Sequence, residues 1–131
     1  MKKSDSSILI IDDDTDVRDS IALLLAASGF SNVETAGGAV EGVKDAEEKD
    51  YDIILLDMIM PHVSGWGALE KISAKKIKTR VLVLSAVGLP EVVRDEVRKR
   101  YPKVEFLPKT NAAAELADKI REMLKEPAGE I

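Results

Sequence analysis

The sequence contains no cysteine, which removes disulfide frameworks, thiol catalysis and thiolate metal sites together. It has one histidine, His62. With no second imidazole to join it and a place outside the acidic clusters described below, His62 reads as a solvated loop residue. No stretch approaches the roughly 20 consecutive apolar residues of a membrane span, and the start, Met1-Lys2-Lys3-Ser4, lacks the apolar segment of a secretory signal. A cytoplasmic location with no membrane partner is the expectation. Positive charge is also short, with 19 basic against 24 acidic residues and a net charge of -5. Direct nucleic-acid binding is not expected, because neutralising phosphates needs a basic face. The local exception, Arg94 to Lys103, reads as a solvated helix end favoured by the helix dipole.

The 131 residues suffice for one core and not for two. The expected organisation is a single domain over 1–131, folded from about residue 6 to 125, with 126–131 as a tail or the start of a linker. Three apolar runs stand out: Ile8-Leu9-Ile10-Ile11, Ile53-Ile54-Leu55-Leu56 and Val81-Leu82-Val83-Leu84. Runs of this length without polar alternation predict strands buried on both faces of a parallel sheet. Asn32 to Thr35 and Val104 to Leu107 predict two weaker strands.

Helical spacing fills the intervals. Val17, Ile21, Leu24 and Leu25 predict a first helix capped by Asp14 or Thr15 and stopped by Gly29. Ala39, Val43 and Ala46 mark a second, and Leu69 and Ile72 a third that Trp66 opens with its ring packed. A fourth runs from about Pro90 to Arg100, and a fifth from Ala112 to Lys125 with Leu116, Ala117, Ile120, Met123 and Leu124 in one stripe. Five βα units with right-handed crossovers give an α/β fold: a five-stranded parallel doubly wound sheet of flavodoxin-like order 2-1-3-4-5, with five helices.

Ligands of such sheets bind outside the carboxyl ends of the strands. There the first run passes into Asp12-Asp13-Asp14, the next into Asp57, the next into Ser85, and the last strand into Pro108-Lys109. Converging carboxylates repel and call for a cation or protons, and hard oxygen ligands select Mg²⁺, Mn²⁺ or Ca²⁺, with Mg²⁺ the physiological choice. Asp57 at a strand tip could be a metal ligand, a nucleophile or a cap. If the metal shares a phosphoryl group with Asp57, Ser85 could donate to one of its oxygens and Lys109 neutralise another. A carboxylate nucleophile then forms an aspartyl phosphate.

These residues resemble the receiver domain of two-component response regulators over nearly the whole chain. Asp12 and Asp13 match the family's acidic pair, Asp57 its phosphoacceptor, and Met60-Pro61 with Gly65 the loop that follows. Ser85-Ala86 matches the switch hydroxyl and the small residue after it, Phe106 the switch aromatic, and Lys109 the phosphoryl-stabilising lysine. The resemblance implies Mg²⁺ as cofactor, the backbone carbonyl of Ile59 as a metal ligand beside Asp12, Asp13 and Asp57, and a sensor histidine kinase or phosphotransfer protein as donor. It also implies a downstream protein, or a second copy of the chain, that reads the face of the fourth helix, fifth strand and fifth helix. Such a domain is a signalling module and not an enzyme, beyond catalysing its own phosphorylation and dephosphorylation. Phe106 is equally well explained as core, since it alternates with Val104.

Two features depart from the family pattern. Thr110 follows Lys109 where proline is usual, so a trans link is expected, a cis bond before threonine costing about 3 kcal/mol. Arg100-Tyr101-Pro102-Lys103 replaces the usual small-residue turn before the last strand. Two apolar β-branched residues, Ile59 and Val87, lie two positions past strand ends and are expected to flank the path of a hydrolytic water, which they cannot hydrogen-bond. Other readings fit less well. A phosphatase of the haloacid dehalogenase type needs a second acid where Ile59 stands, a flavin carrier would repel its cofactor phosphate with Asp12 to Asp14, and a scaffold that is never phosphorylated has no use for the complete set.

Overall fold

The computed structural model describes residues 6–57, 65–85, 90–108 and 113–131. Five strands, β1 (Ser7–Ile11), β2 (Asn32–Ala36), β3 (Ile53–Asp57), β4 (Val81–Ser85) and β5 (Glu105–Pro108), alternate with α1 (Thr15–Ala27), α2 (Ala39–Glu48), α3 (Gly65–Ala74), α4 (Glu91–Arg100) and α5 (Ala113–Met123). All strand pairings are parallel. The order is β2-β1-β3-β4-β5, as the run of βα units predicts.

Every residue of β1 and β3 is buried, because each side chain that leaves one face meets helices and its neighbour meets helices on the other. Ile8, Ile10, Ile53, Leu55, Leu82 and Leu84 form one layer with Leu25, Phe30 and the Leu116–Ile120–Met123 stripe of α5. Leu9, Ile11, Ile54, Leu56, Val81 and Val83 form the other with α2, α3 and Val97 of α4. The unbroken apolar runs are thus two interleaved stripes, one for each layer.

Local chemistry sets the element ends. Asp14, rather than Thr15, caps α1: its carboxylate accepts the N–H groups of Asp16 and Val17, donors that a helix N-terminus otherwise leaves orphaned. Gly29, at φ 98°, lets the chain reverse so that the Phe30 N–H reaches the Leu25 carbonyl at 3.0 Å and the Phe30 ring enters the core. Pro90 stands just outside α4, whose last turn carries Arg98, Lys99 and Arg100, the cationic end anticipated from the dipole. The unusual turn before β5 is anchored by burial of Tyr101 and Val104.

The segment after α5 differs from the expected tail. Gly129 pairs with Thr79, its carbonyl accepting the Thr79 N–H at 3.0 Å. Arg80 forks between the Asp52 carbonyl and that of Glu126, and Ile131 joins the α2–α4 layer of the core. The apolar Ile131 side chain and the Thr79 N–H, two residues ahead of β4, supply the reason: both are satisfied when the chain turns back to bridge Gly129 to Thr79.

Candidate functional site

Ile11 pairs with Leu56 across β1 and β3, so the residues that follow, Asp12 and Asp57, leave the sheet side by side. Asp12 is 2% exposed and Asp57 6%. Asp13, one residue further along, is exposed. One carboxylate oxygen from each of Asp12, Asp13 and Asp57 lies within 4.8 Å of the other two. The sheet therefore assembles what the sequence displays 44 residues apart.

Asp12 is anchored through its N–H, its carboxylate and its carbonyl. Its N–H donates to the Ala36 carbonyl at 3.2 Å, its Oδ1 accepts the Asp14 N–H at 3.0 Å, and its carbonyl accepts Nη1 of Arg18 at 3.0 Å. Like charges so close together in a largely desolvated place favour a bound cation. The donors are all hard carboxylate oxygens, which suits Mg²⁺ with water completing its octahedron. The residues present fit that ion.

Ser85 ends β4 at the same edge, opposite Pro108 of β5 in register. Lys109 directly follows Pro108 but, with Ile59, Val87, Met60, Pro61, His62, Ala86 and Thr110, lies outside the described residues. Phe106 is half-buried on β5, packed against the α2–α4 layer, with the Arg98 guanidinium 5.2 Å from its ring centre. Trp66, in the first turn of α3, packs on the same layer and lies 5.6 Å from the Arg100 guanidinium. Both contacts are within cation–π range.

An apolar cavity of about 360 Å³ opens between α1 and α5, lined by Val17, Ile21, Leu24, Leu84, Leu107 and Leu116 among others. It reflects the loose cover of α1, in which Leu25 alone of the apolar stripe is fully buried. Among the described residues that line it, Asp16 is the one charged group, whereas three carboxylates converge at the acidic cluster.

The sequence model of the response regulator receiver domain matches residues 8–121. The chain belongs to this family. Among curated relatives, the cell cycle response regulator CtrA of Brucella ovis is 35% identical over 113 residues, 80% of this chain and 48% of that protein. CtrA of Brucella abortus matches to the same extent. The receiver domain thus spans about half the length of the curated relatives it matches. Among solved structures, a response regulator receiver domain protein from Clostridium thermocellum superposes with a TM-score of 0.78 at 27% identity, covering 92% of this chain and 94% of that one. FixJ-N superposes at 0.82 with 26% identity over 96% and 97%. The receiver fold, with strand order 2-1-3-4-5, and the family's phosphoacceptor signalling role are those expected from the residues. Among the described residues, no helix is long and apolar enough to cross a membrane.

Two features of this receiver domain escaped the sequence reading. One is Arg18, whose contacts are with a backbone carbonyl. The other is the docked segment 126–131. A basic residue one turn into α1 after Asp12-Asp13-Asp14 was the available signal for the first, and the terminal Ile131 for the second.

Proposed function

We propose that Asp57 is the phosphoacceptor, taking its phosphoryl group from a sensor histidine kinase or phosphotransfer protein, with Mg²⁺ as cofactor. The observation that carries this reading is the approach of the Asp12, Asp13 and Asp57 carboxylates to within 4.8 Å of one another at one sheet edge. Asp12, Asp13, Asp57 and the Ile59 carbonyl would hold the ion, which when bound offsets the carboxylate charge and that of the incoming phosphoryl group. An Asp57 carboxylate oxygen forms the new bond to phosphorus. The bond from phosphorus to the donor's imidazole nitrogen breaks, and its electron pair leaves with that nitrogen. Ser85 and Lys109 are assigned to the phosphoryl oxygens, a hydroxyl donor and a cation of the kind that stabilises this transfer.

Asp57 sits at the end of β3, and Ser85 and Phe106 lie on β4 and β5, so charge gained at Asp57 is read through the α4–β5–α5 face by a downstream protein or a second copy of the chain. Ile59 and Val87 are assigned the role of slowing hydrolysis, since neither side chain can hydrogen-bond the attacking water. The domain works in the cytoplasm, is one unit over the whole chain, and has no turnover other than its own phosphorylation and hydrolysis.

Intact-mass spectrometry after incubation with acetyl phosphate and Mg²⁺ tests the assignment. One phosphoryl group is expected on the wild type and none on Asp57→Asn; equal uptake by both rejects Asp57. Ile59→Asn and Val87→Glu are expected to lose the label faster once the donor is removed.

A further inference from the structure

We infer that Arg18 is a positioning residue for the cation site: its guanidinium fixes the peptide that joins Asp12 to Asp13 and thereby the aim of both carboxylates. This rests on the proposed role of that site and goes beyond it, since Arg18 neither offers a ligand nor belongs to the acidic set.

The guanidinium occupies the point where three segments meet. Nη1 donates to the Asp12 carbonyl at 3.0 Å, at the end of β1. Nη2 donates to Thr15 Oγ1 at 3.1 Å, at the start of α1. On the remaining side Gly37, in the turn between β2 and α2, comes so near that a Cβ there would lie 2.9 Å from Nη1. Arg18 is half-buried: its Nε is shielded from solvent and has no hydrogen-bond partner, while Nη2 meets Thr15 at the surface. Gly37 is itself held, its N–H donating to Glu41 Oε2 at 3.0 Å. A planar fork with two committed N–H groups locks its carbonyl partner in a way that a flexible single-point ammonium cannot. The Asp12 carbonyl belongs to the peptide whose other end is the Asp13 nitrogen, so its rotation would swing the Asp13 carboxylate away from Asp12 and Asp57. Residues that orient metal ligands without touching the metal commonly change affinity by tenfold or more.

Position and charge predict opposite signs. A cation near three carboxylates repels another cation, so if Arg18 acted through its field alone, removing it would tighten metal binding. If it positions, removing it loosens binding. The glycines separate the two effects without touching the charge. Gly37→Ala must displace Nη1, the far end of a flexible side chain, while at neighbouring Gly38 a Cβ meets nothing within 4 Å.

Mn²⁺ is the probe, its free concentration read by electron paramagnetic resonance in titrations of the whole chain, with circular dichroism to check that each variant is folded. Wild type and Gly38→Ala are expected to bind alike, and Arg18→Ala and Gly37→Ala to bind about tenfold more weakly. Unchanged or tighter binding in either of the last two overturns the inference, even if its melting temperature falls, because Arg18 would then be a staple of the fold alone. Wild type that takes up no Mn²⁺ overturns the cation reading of the site itself, and this inference with it. Should Arg18→Ala fail to fold, Gly37→Ala carries the decision, since it retains every side chain of the site.

Discussion

Asp12 and Asp57 emerge side by side from β1 and β3, one position beyond the Ile11–Leu56 pair, and both are nearly excluded from solvent. Sheet register alone accounts for this. Burial of two adjacent carboxylates opposes folding unless something of positive charge compensates.

A divalent cation held by Asp12, Asp13 and Asp57 is expected to stabilise the fold, because a ligand that binds only the folded state shifts the equilibrium towards it. Mg²⁺ at about 100 times its dissociation constant should add roughly 2.7 kcal/mol by mass action, read as a rise in melting temperature. Asp13→Asn should lose most of that rise while folding normally, because Asp13 is exposed. A full Mg²⁺-dependent rise in Asp13→Asn would remove Asp13 from the ligand set.

Gly42 marks the closest approach of α2 to the sheet. A Cβ there would fall 2.4 Å from Ile11 Cδ1 and 2.6 Å from Cγ1, and Ile11 is wholly buried, so it has nowhere to go. Gly42→Ala should cost about 1–3 kcal/mol by overpacking although alanine is the better helix former. Urea denaturation of Gly42→Ala against wild type measures this, and a stabilised variant would contradict the packing described.

Tyr51 should titrate late. Burial, and next the charge of Glu34, push its phenol from the ordinary 10 up to about 12, while its hydroxyl donates to Glu34 Oε1 at 3.2 Å. Since the folded value lies above the unfolded one, the stability Tyr51 contributes is complete below pH 10 and is lost as pH rises through about 12. The difference in tyrosinate absorbance between wild type and Tyr51→Phe, followed with pH, should place its midpoint near the upper value. A midpoint at 10 would mean that the ring is solvated.

The segment after α5 should behave as part of the fold. Truncation after Lys125 removes the partner of Thr79 and one arm of the Arg80 fork, and exposes the surface under Ile131, 9% exposed in the intact chain. Burial of one isoleucine contributes about 1.5–3 kcal/mol, so a loss of at least that size is expected in thermal unfolding, with Ile131→Ser retaining the backbone pairing and losing less. Equal stability of truncated and full chains would show the segment to be a tail after all.

How much of this is legible in the residues differs from element to element. Ile8 to Ile11, Ile53 to Leu56 and Val81 to Leu84 announce strands, because four adjacent apolar residues fit a sheet covered on both faces and little else. The alternation with helical spacing, the strand order and the edge at which Asp12, Asp13, Asp57 and Ser85 gather all follow from those runs, through rules of connection that hold for any such chain. The choice of Asp14 over Thr15 as cap, the reach of Arg18 to the Asp12 carbonyl, the Arg98 guanidinium over Phe106 and the return of Ile131 to the core do not. Each joins a side chain either to a backbone group or to a partner in another element, and backbone groups are the same at every residue. Apolar periodicity is a local property and so can be read along the chain, whereas the partner of an arginine fork or of the Thr79 N–H is decided when the packed sheet brings that group within about 3 Å.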